Sequence, residues 1–174
     1  MISNKLQDVL NNQIKNEEHS SRIYLAMASW CEMKGYEGAA EFLFVQADEE
    51  KEHMLKLIHY LNDRGGHAVM QPLDQPKKEW DDLKKLFEEV LAHEEFITGE
   101  INKCYETALN EKDYNTAQFL QWYVEEQIEE ESTMNSILDK INLAGGTKGG
   151  MLHVDMGLKE MAKASAAKSS GKSE

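Results

Sequence analysis

The chain has 174 residues, 41% hydrophobic and 29% charged, with 19 Lys and Arg against 32 Asp and Glu for a formal charge of −13. That balance fits one globular domain and excludes a disordered chain. The acidic excess argues against nucleic acid as the main partner, and no apolar run approaches the roughly 18–20 residues of a membrane span.

The first five residues are polar and carry no leader-like apolar stretch, so a cytoplasmic location is expected. The first predicted helix runs from about Asn4 to Met33. After a break at 34–38, the second runs from Ala39 to Asp63. A long break, Arg64 to Lys78, holds both prolines, Pro72 and Pro76. The third helix spans about Glu79 to Leu109, and the fourth Tyr114 to Leu143, with a tight break at 110–113. Beyond the glycine-rich joint at 144–150, Met151, Val154, Leu158 and Met161 repeat at helical spacing. Gly157 weakens that segment, so a frayed tail and a docking helix both remain open. Residues 1–162 are expected to form the domain, and 163–174, rich in Ala, Ser and Lys, a disordered tail.

Short breaks make neighbouring helices antiparallel. A helix of about 25–30 residues is roughly 40 Å long, and fifteen extended residues reach roughly 50 Å. The 64–78 break can therefore return along the whole bundle and leave helices two and three parallel. The expected fold class is all-α: a four-helix bundle with one long crossover plus a short C-terminal fifth helix. Cys31 and Cys104 form no paired motif and read as core thiols.

Each long helix carries an apolar stripe, and each stripe is interrupted by carboxylates near mid-helix. Glu17 lies between Leu10 and Tyr24, Glu50 between Leu43 and Leu57, and Glu94 between Val90 and Ile101. Gln127 and Glu130 lie between Tyr123 and Ile137. One such residue is unremarkable, since it can mark the edge of a stripe. Four helices with the same irregularity at one height are not four edge effects. Burying one unpaired carboxylate costs several kcal/mol, so several together would cost on the order of 10 kcal/mol, comparable to the stability of a whole domain. Such a core holds a compensating charge, or most of its carboxylates are protonated; no Lys or Arg falls in these seams near the acids, and bound metal cations are the simplest compensation. His53 follows Glu50 at (i, i+3), so an imidazole and a carboxylate share a face. Oxygen and nitrogen donors without thiolate suit iron(II), manganese(II) or zinc(II) alike.

Glu49, Glu126 and Glu129 each precede a seam position by one, about 100° around the helix. They form either a solvated acidic face or, with Glu130, a flanking cation site. Trp122 lies one turn before Glu126.

In combination, Asn16 to His19 with Tyr24, Asp48 to His53, His93 with Glu94, and Gln121 to Gln127 resemble the bacterial haem-free ferritins over about residues 1–160. The resemblance implies a ferroxidase that oxidises iron(II) with O₂ and stores ferric mineral in a shell of twenty-four subunits. It implies that Glu17, Glu50 and His53 hold one iron, and that Glu50 bridges to a second held by Glu94 and Glu130, with Gln127 nearby. It makes Glu49, Glu126, Glu129 and Glu130 a third site. Tyr24 becomes a hydrogen-bond donor and electron source, with Trp122 a further redox neighbour. Segment 151–161 becomes the fifth helix at a four-fold axis. Bacterioferritins carry Glu-x-x-His twice and hold haem through a methionine. Here the second motif is Gln127-x-x-Glu130 and Glu52 stands at the methionine's place, so no haem is expected. A non-catalytic metal-binding bundle and a di-iron oxygenase are the competing readings.

Overall fold

The computed structural model describes residues 2–171, with side chains through Ala167. Five helices appear: α1 Asn4–Lys34, α2 Glu37–Asp63, α3 Leu83–Asn110, α4 Tyr114–Ala144 and α5 Lys148–Gly171. The described residues contain no strand. No described helix is long and apolar enough to cross a membrane.

Local chemistry sets the helix ends. Ser3 accepts a hydrogen bond from the Leu6 amide, and Asp82 from that of Lys85. Asp113 accepts from the Thr116 amide and pairs with Arg64 at 2.9 Å, which ties the start of α4 to the end of α2. α1 ends on Gly35 and α4 on Gly145, both with positive φ. The α3 start falls a few residues later than the sequence suggests. Trp80 is instead packed against Trp30 in the crossover, and its indole donates to Glu89.

Two apolar clusters fill the bundle. One gathers Leu6, Leu10 and Ile14 of α1, Leu57 and Leu61 of α2, Ile97 and Ile101 of α3, and Leu120 and Tyr123 of α4. The other gathers the end of α1, the start of α2, the start of α3, the end of α4 and one face of α5. Helices α2 and α3 thus begin in the same cluster and end in the other, so they are parallel. The crossover makes this possible by running along α1. His67 accepts from the Asn11 side chain, Val69 donates to Asn11, and Trp30 donates to Glu79 at the far end. Cys31 and Cys104 are free and buried, one per cluster. Burial pushes both thiols up to about 12.

The fifth helix is longer than the short segment expected at 151–161. It runs well past Ala162, through the segment read as disordered, to Gly171; residues 172–174 lie outside the described residues. Ala162, Ala164, Ala166 and Ala167 are strong helix formers, and Val154, Leu158 and Ala162 bury a continuous stripe. Tertiary packing overrides the weak propensity of Gly149, Gly150 and Gly157.

Candidate metal centre

The carboxylates of the four stripes meet in the layer between the two apolar clusters. Glu17, Glu94, Gln127, Glu50, Glu130 and His53 are all buried, the last two at 7% exposure. The helical repeat puts them there: each lies about two turns from apolar residues of both clusters on the same face.

Glu17, Glu50 and His53 each offer a ligand atom within 4.8 Å of the others. His53 Nδ1 stands 3.8 Å from Glu50 Oε2, too far for a hydrogen bond. Glu50 Oε2 is buried and has no hydrogen-bond partner among the described residues. The Gln13 amide donates to Glu17 at 2.7 Å. Tyr24 donates a short hydrogen bond to Glu94 Oε1, and Gln127 donates to Glu94 Oε2 at 3.1 Å. Gln127 also reaches Thr98 Oγ1 at 3.3 Å. The Tyr123 hydroxyl donates to the His53 carbonyl, fixing α2 against α4 at the height of the ligands.

The electrostatics of this layer are those of a site lacking its counter-charge. Burial raises the Glu17 carboxyl above its ordinary value. Glu50 stands well above its ordinary value, first through burial and then through the facing charge of Glu17, with Glu130 and Glu49 adding to it. Burial pushes Glu94 up to about 7 and outweighs the Gln127 hydrogen bond. Glu130 is raised by burial and by Glu94, Glu49, Glu126 and Glu129. The charges facing Glu50 and Glu130 that raise them are other carboxylates. A divalent cation would reverse all four shifts at once.

Beside this layer lies a cavity of about 410 Å³, lined by Glu49, Glu126, Glu129 and Glu130 and closed on one side by α5. Glu49 and Glu126 are half-buried and Glu129 is exposed. Glu130 therefore faces both the central layer and the cavity. Trp122 points elsewhere: its ring packs edge-on against His53 at 5.1 Å and lies under Lys56, whose Nζ is 3.1 Å from the ring centroid.

Sequence reasoning did not find Gln13 or Thr98. Gln13 is as buried as Glu17 and sits one turn before it, so a polar residue in the stripe was its signal. It also missed Ser20, buried on α1 and 2.8 Å from His93 Nε2. Burial pushes His93 down to about 4.

Comparison with known proteins agrees with this arrangement. The family model for the ferritin-like domain matches residues 7–144. A probable bacterial non-haem ferritin-like protein of Haemophilus influenzae is 44% identical over 158 residues, covering 91% of this chain and 96% of the relative. The bacterial non-haem ferritin of Campylobacter jejuni is 43% identical over 162 residues, covering 93% and 97%. Among solved structures, an open-pore ferritin from Archaeoglobus fulgidus superposes with a TM-score of 0.90 at 38% identity, covering 91% of this chain and 98% of that one. The chain belongs to the ferritin family, and its relatives there are the bacterial non-haem ferritins.

Proposed function

We propose that this chain is an iron-storage subunit that oxidises iron(II) with O₂ at the carboxylate layer and passes the ferric product to a mineral inside a shell of twenty-four copies. The single observation that carries this is Glu50, whose Oε2 is buried without a hydrogen bond among the described residues and which offers a ligand atom within 4.8 Å of donor atoms on Glu17 and His53. A buried carboxyl of this kind keeps its proton unless a cation takes the proton's place.

Iron enters here as substrate. Glu17, Glu50 and His53 would hold one iron(II). Glu50, which feels the charges of both Glu17 and Glu130, would share its second oxygen with another iron, held by Glu94 and Glu130, with Gln127 beside it. Tyr24 and Gln127 hold the two oxygens of Glu94, which fixes the direction of its lone pairs. Two iron(II) would each give one electron to the same O₂, which takes up two protons and leaves as hydrogen peroxide, while the two iron(III) pass on as hydrolysed ferric product. The carboxylates favour this because they stabilise the higher charge of iron(III). Before binding, the site holds protons on its raised carboxyls, and loading iron releases them. Tyr24 is the nearest phenol to Glu94 and serves as a further electron source. The Trp122 ring against His53 is another. The flanking cavity is a third cation site on the way out. No haem is proposed, because the second motif is Gln127-x-x-Glu130 and Glu52 stands where the haem-binding methionine would be. The names of the relatives support iron storage, and a cytoplasmic location goes with that reading.

The test is aerobic mixing with iron(II). A rapid rise of ferric absorbance that is lost in both Glu50→Ala and His53→Ala supports the assignment; unchanged rates in both variants would sink it. Native mass tests the shell separately, with a particle of about 480 kDa expected for twenty-four copies of the 19.9 kDa chain.

A further inference from the structure

The flanking cavity is built by three helices. Its acids come from α2 and α4, but Met161, Ala164 and Ser165 of α5 close its outer side. Ser165 Oγ donates a short hydrogen bond to Glu49 Oε1. Glu130, buried at 7% exposure, lines the same cavity, and the charges that act on it are those of Glu94, Glu49, Glu126 and Glu129. We propose that the carboxyl half of α5 is the outer wall of this acidic cavity, and that Ser165, through its contact with Glu49, governs how long a divalent cation is retained there. This rests on the reading of Glu49, Glu126, Glu129 and Glu130 as a cation site.

The position of α5 is over-determined, which makes it a wall rather than a loose tail. Helix α5 lies parallel to α2, and contacts advance along both in step. Asp155 accepts hydrogen bonds from the Gly38 and Ala39 amides at 3.1 and 2.8 Å. Lys159 pairs with Glu41 at 2.8 Å. One further stretch along, Ser165 meets Glu49. Between these points Val154, Leu158 and Ala162 are buried.

Two consequences follow for a cation. Met161 and Ala164 place low-polarity atoms where water would screen the acids, which strengthens their attraction for a cation inside. Ser165 Oγ has lone pairs as well as a proton. It donates to Glu49 Oε1, and beside a bound cation the same hydroxyl would hold Glu49 in place and have an oxygen free to face the charge. Glu129, exposed at the rim, is the point of entry.

Zinc(II), which has no redox chemistry, is the probe. The assembled full-chain protein is loaded with zinc(II) and mixed with a chromogenic chelator, and the release is resolved into phases. The phase lost in Glu126→Gln/Glu129→Gln belongs to the flanking cavity. Ser165→Ala should speed that phase about tenfold, the scale of one charge-assisted hydrogen bond. A chain ending at Ala162, which keeps the buried stripe of α5, should speed it further. The other phases should keep their rates. A flanking phase with one rate in all three proteins overturns the wall. If the double Gln variant loses no phase and binds as much zinc(II), the cation site itself fails, and the wall fails with it. The two failures are thereby told apart.

Discussion

Gly38 lies directly against the backbone of Asp155, so that a Cβ on it would stand 1.8 Å from the Asp155 carbonyl oxygen. No side chain fits there. Tyr36 provides no side-chain cap for α2, and Asp155 takes over that role from another helix. The close approach and the cap are one device, since the carboxylate reaches the amides only because Gly38 lets the helices meet.

Gly38→Ala should therefore displace α5 rather than merely add a methyl group. The clash is with backbone, which cannot rotate away, so a loss at or above the usual 1–3 kcal/mol of overpacking is expected, roughly. Asp155→Ala removes the cap alone and should cost about 1 kcal/mol. Thermal unfolding gives both values, and limited proteolysis within α5 should increase most in Gly38→Ala. Equal effects for the two variants would show that the glycine has no role beyond the cap.

Glu50→Gln separates stability from function. The metal-free protein carries Glu50 buried among Glu17, Glu130 and Glu49, all of like charge when ionised. Replacing it by a neutral isostere removes that repulsion and should raise the melting temperature of the metal-free protein. The same change removes a carboxylate of the proposed metal site, so iron(II) oxidation should fall sharply. A variant less stable than the parent in the presence of chelator would contradict the electrostatic reading of the layer.

The pH dependence of the metal-free protein has a definite sign. Folding raises the Glu94 carboxyl from 4.5 to about 7. Below about pH 4.5 the group is protonated in both states and costs nothing. As pH rises from about 4.5 to about 7, the unfolded chain releases the proton while the folded chain keeps it, so stability falls. The full loss from this group alone is on the order of 3 kcal/mol, complete above about pH 7. Glu17, Glu50 and Glu130 are raised too and act in the same direction. His93, lowered by burial from 6.5 to about 4, acts oppositely between those values and is neutral in both states above about pH 6.5. Asp113, lowered by its Thr116 and Arg64 hydrogen bonds, contributes stability that is lost only as pH falls below its ordinary 3.8, outside this window. Above about pH 6.5 only the raised carboxyls still titrate, so unfolding scans in chelator should show a higher melting temperature at about pH 6.5 than at about pH 8. With zinc(II) bound the trend should reverse, because the ligands must give up their protons to the metal.

The metal layer was legible in the sequence because helical periodicity fixes which residues share a face. Glu17, Glu50, Glu94 and Glu130 each broke an apolar stripe at the same height, and each is buried in the fold. The parallel placement of α2 and α3 was legible from the length of the crossover. The course of α5 was not. Its glycines argued for fraying, and what holds it is remote: Gly38 was counted in a loop, and Asp155 and Ser165 act on residues more than a hundred positions away. Residue spacing along one helix carries no information about such pairs. Trp122 lay one turn from Glu126 by count, yet aromatic packing draws it to His53 and Lys56. Gln13 was passed over because an uncharged amide does not stand out in a helix, although its hydrogen bond orients Glu17.

Tyr24→Phe tests how far orientation of Glu94 matters. The hydroxyl holds Glu94 Oε1, while Gln127 holds Oε2, so the carboxylate is gripped from both sides. Phenylalanine keeps the ring, including its edge contact with His93 at 6.1 Å between centroids, and deletes only the donor. Glu94 then loses one of two restraints and turns more freely in a site where the iron–oxygen direction matters. The loss of one hydrogen bond should cost about 1 kcal/mol of stability in the metal-free protein and slow the first turnover of iron(II) oxidation about tenfold. Gln127→Leu deletes the other restraint without touching the phenol. If Tyr24 also supplies an electron, Tyr24→Phe will slow oxidation more than Gln127→Leu does, and a tyrosyl radical signal present in the parent will vanish in the Phe variant alone. Stopped-flow absorbance and freeze-quench paramagnetic resonance read the two parts separately. A Phe variant that oxidises iron within about twofold of the parent rate would remove Tyr24 from both roles.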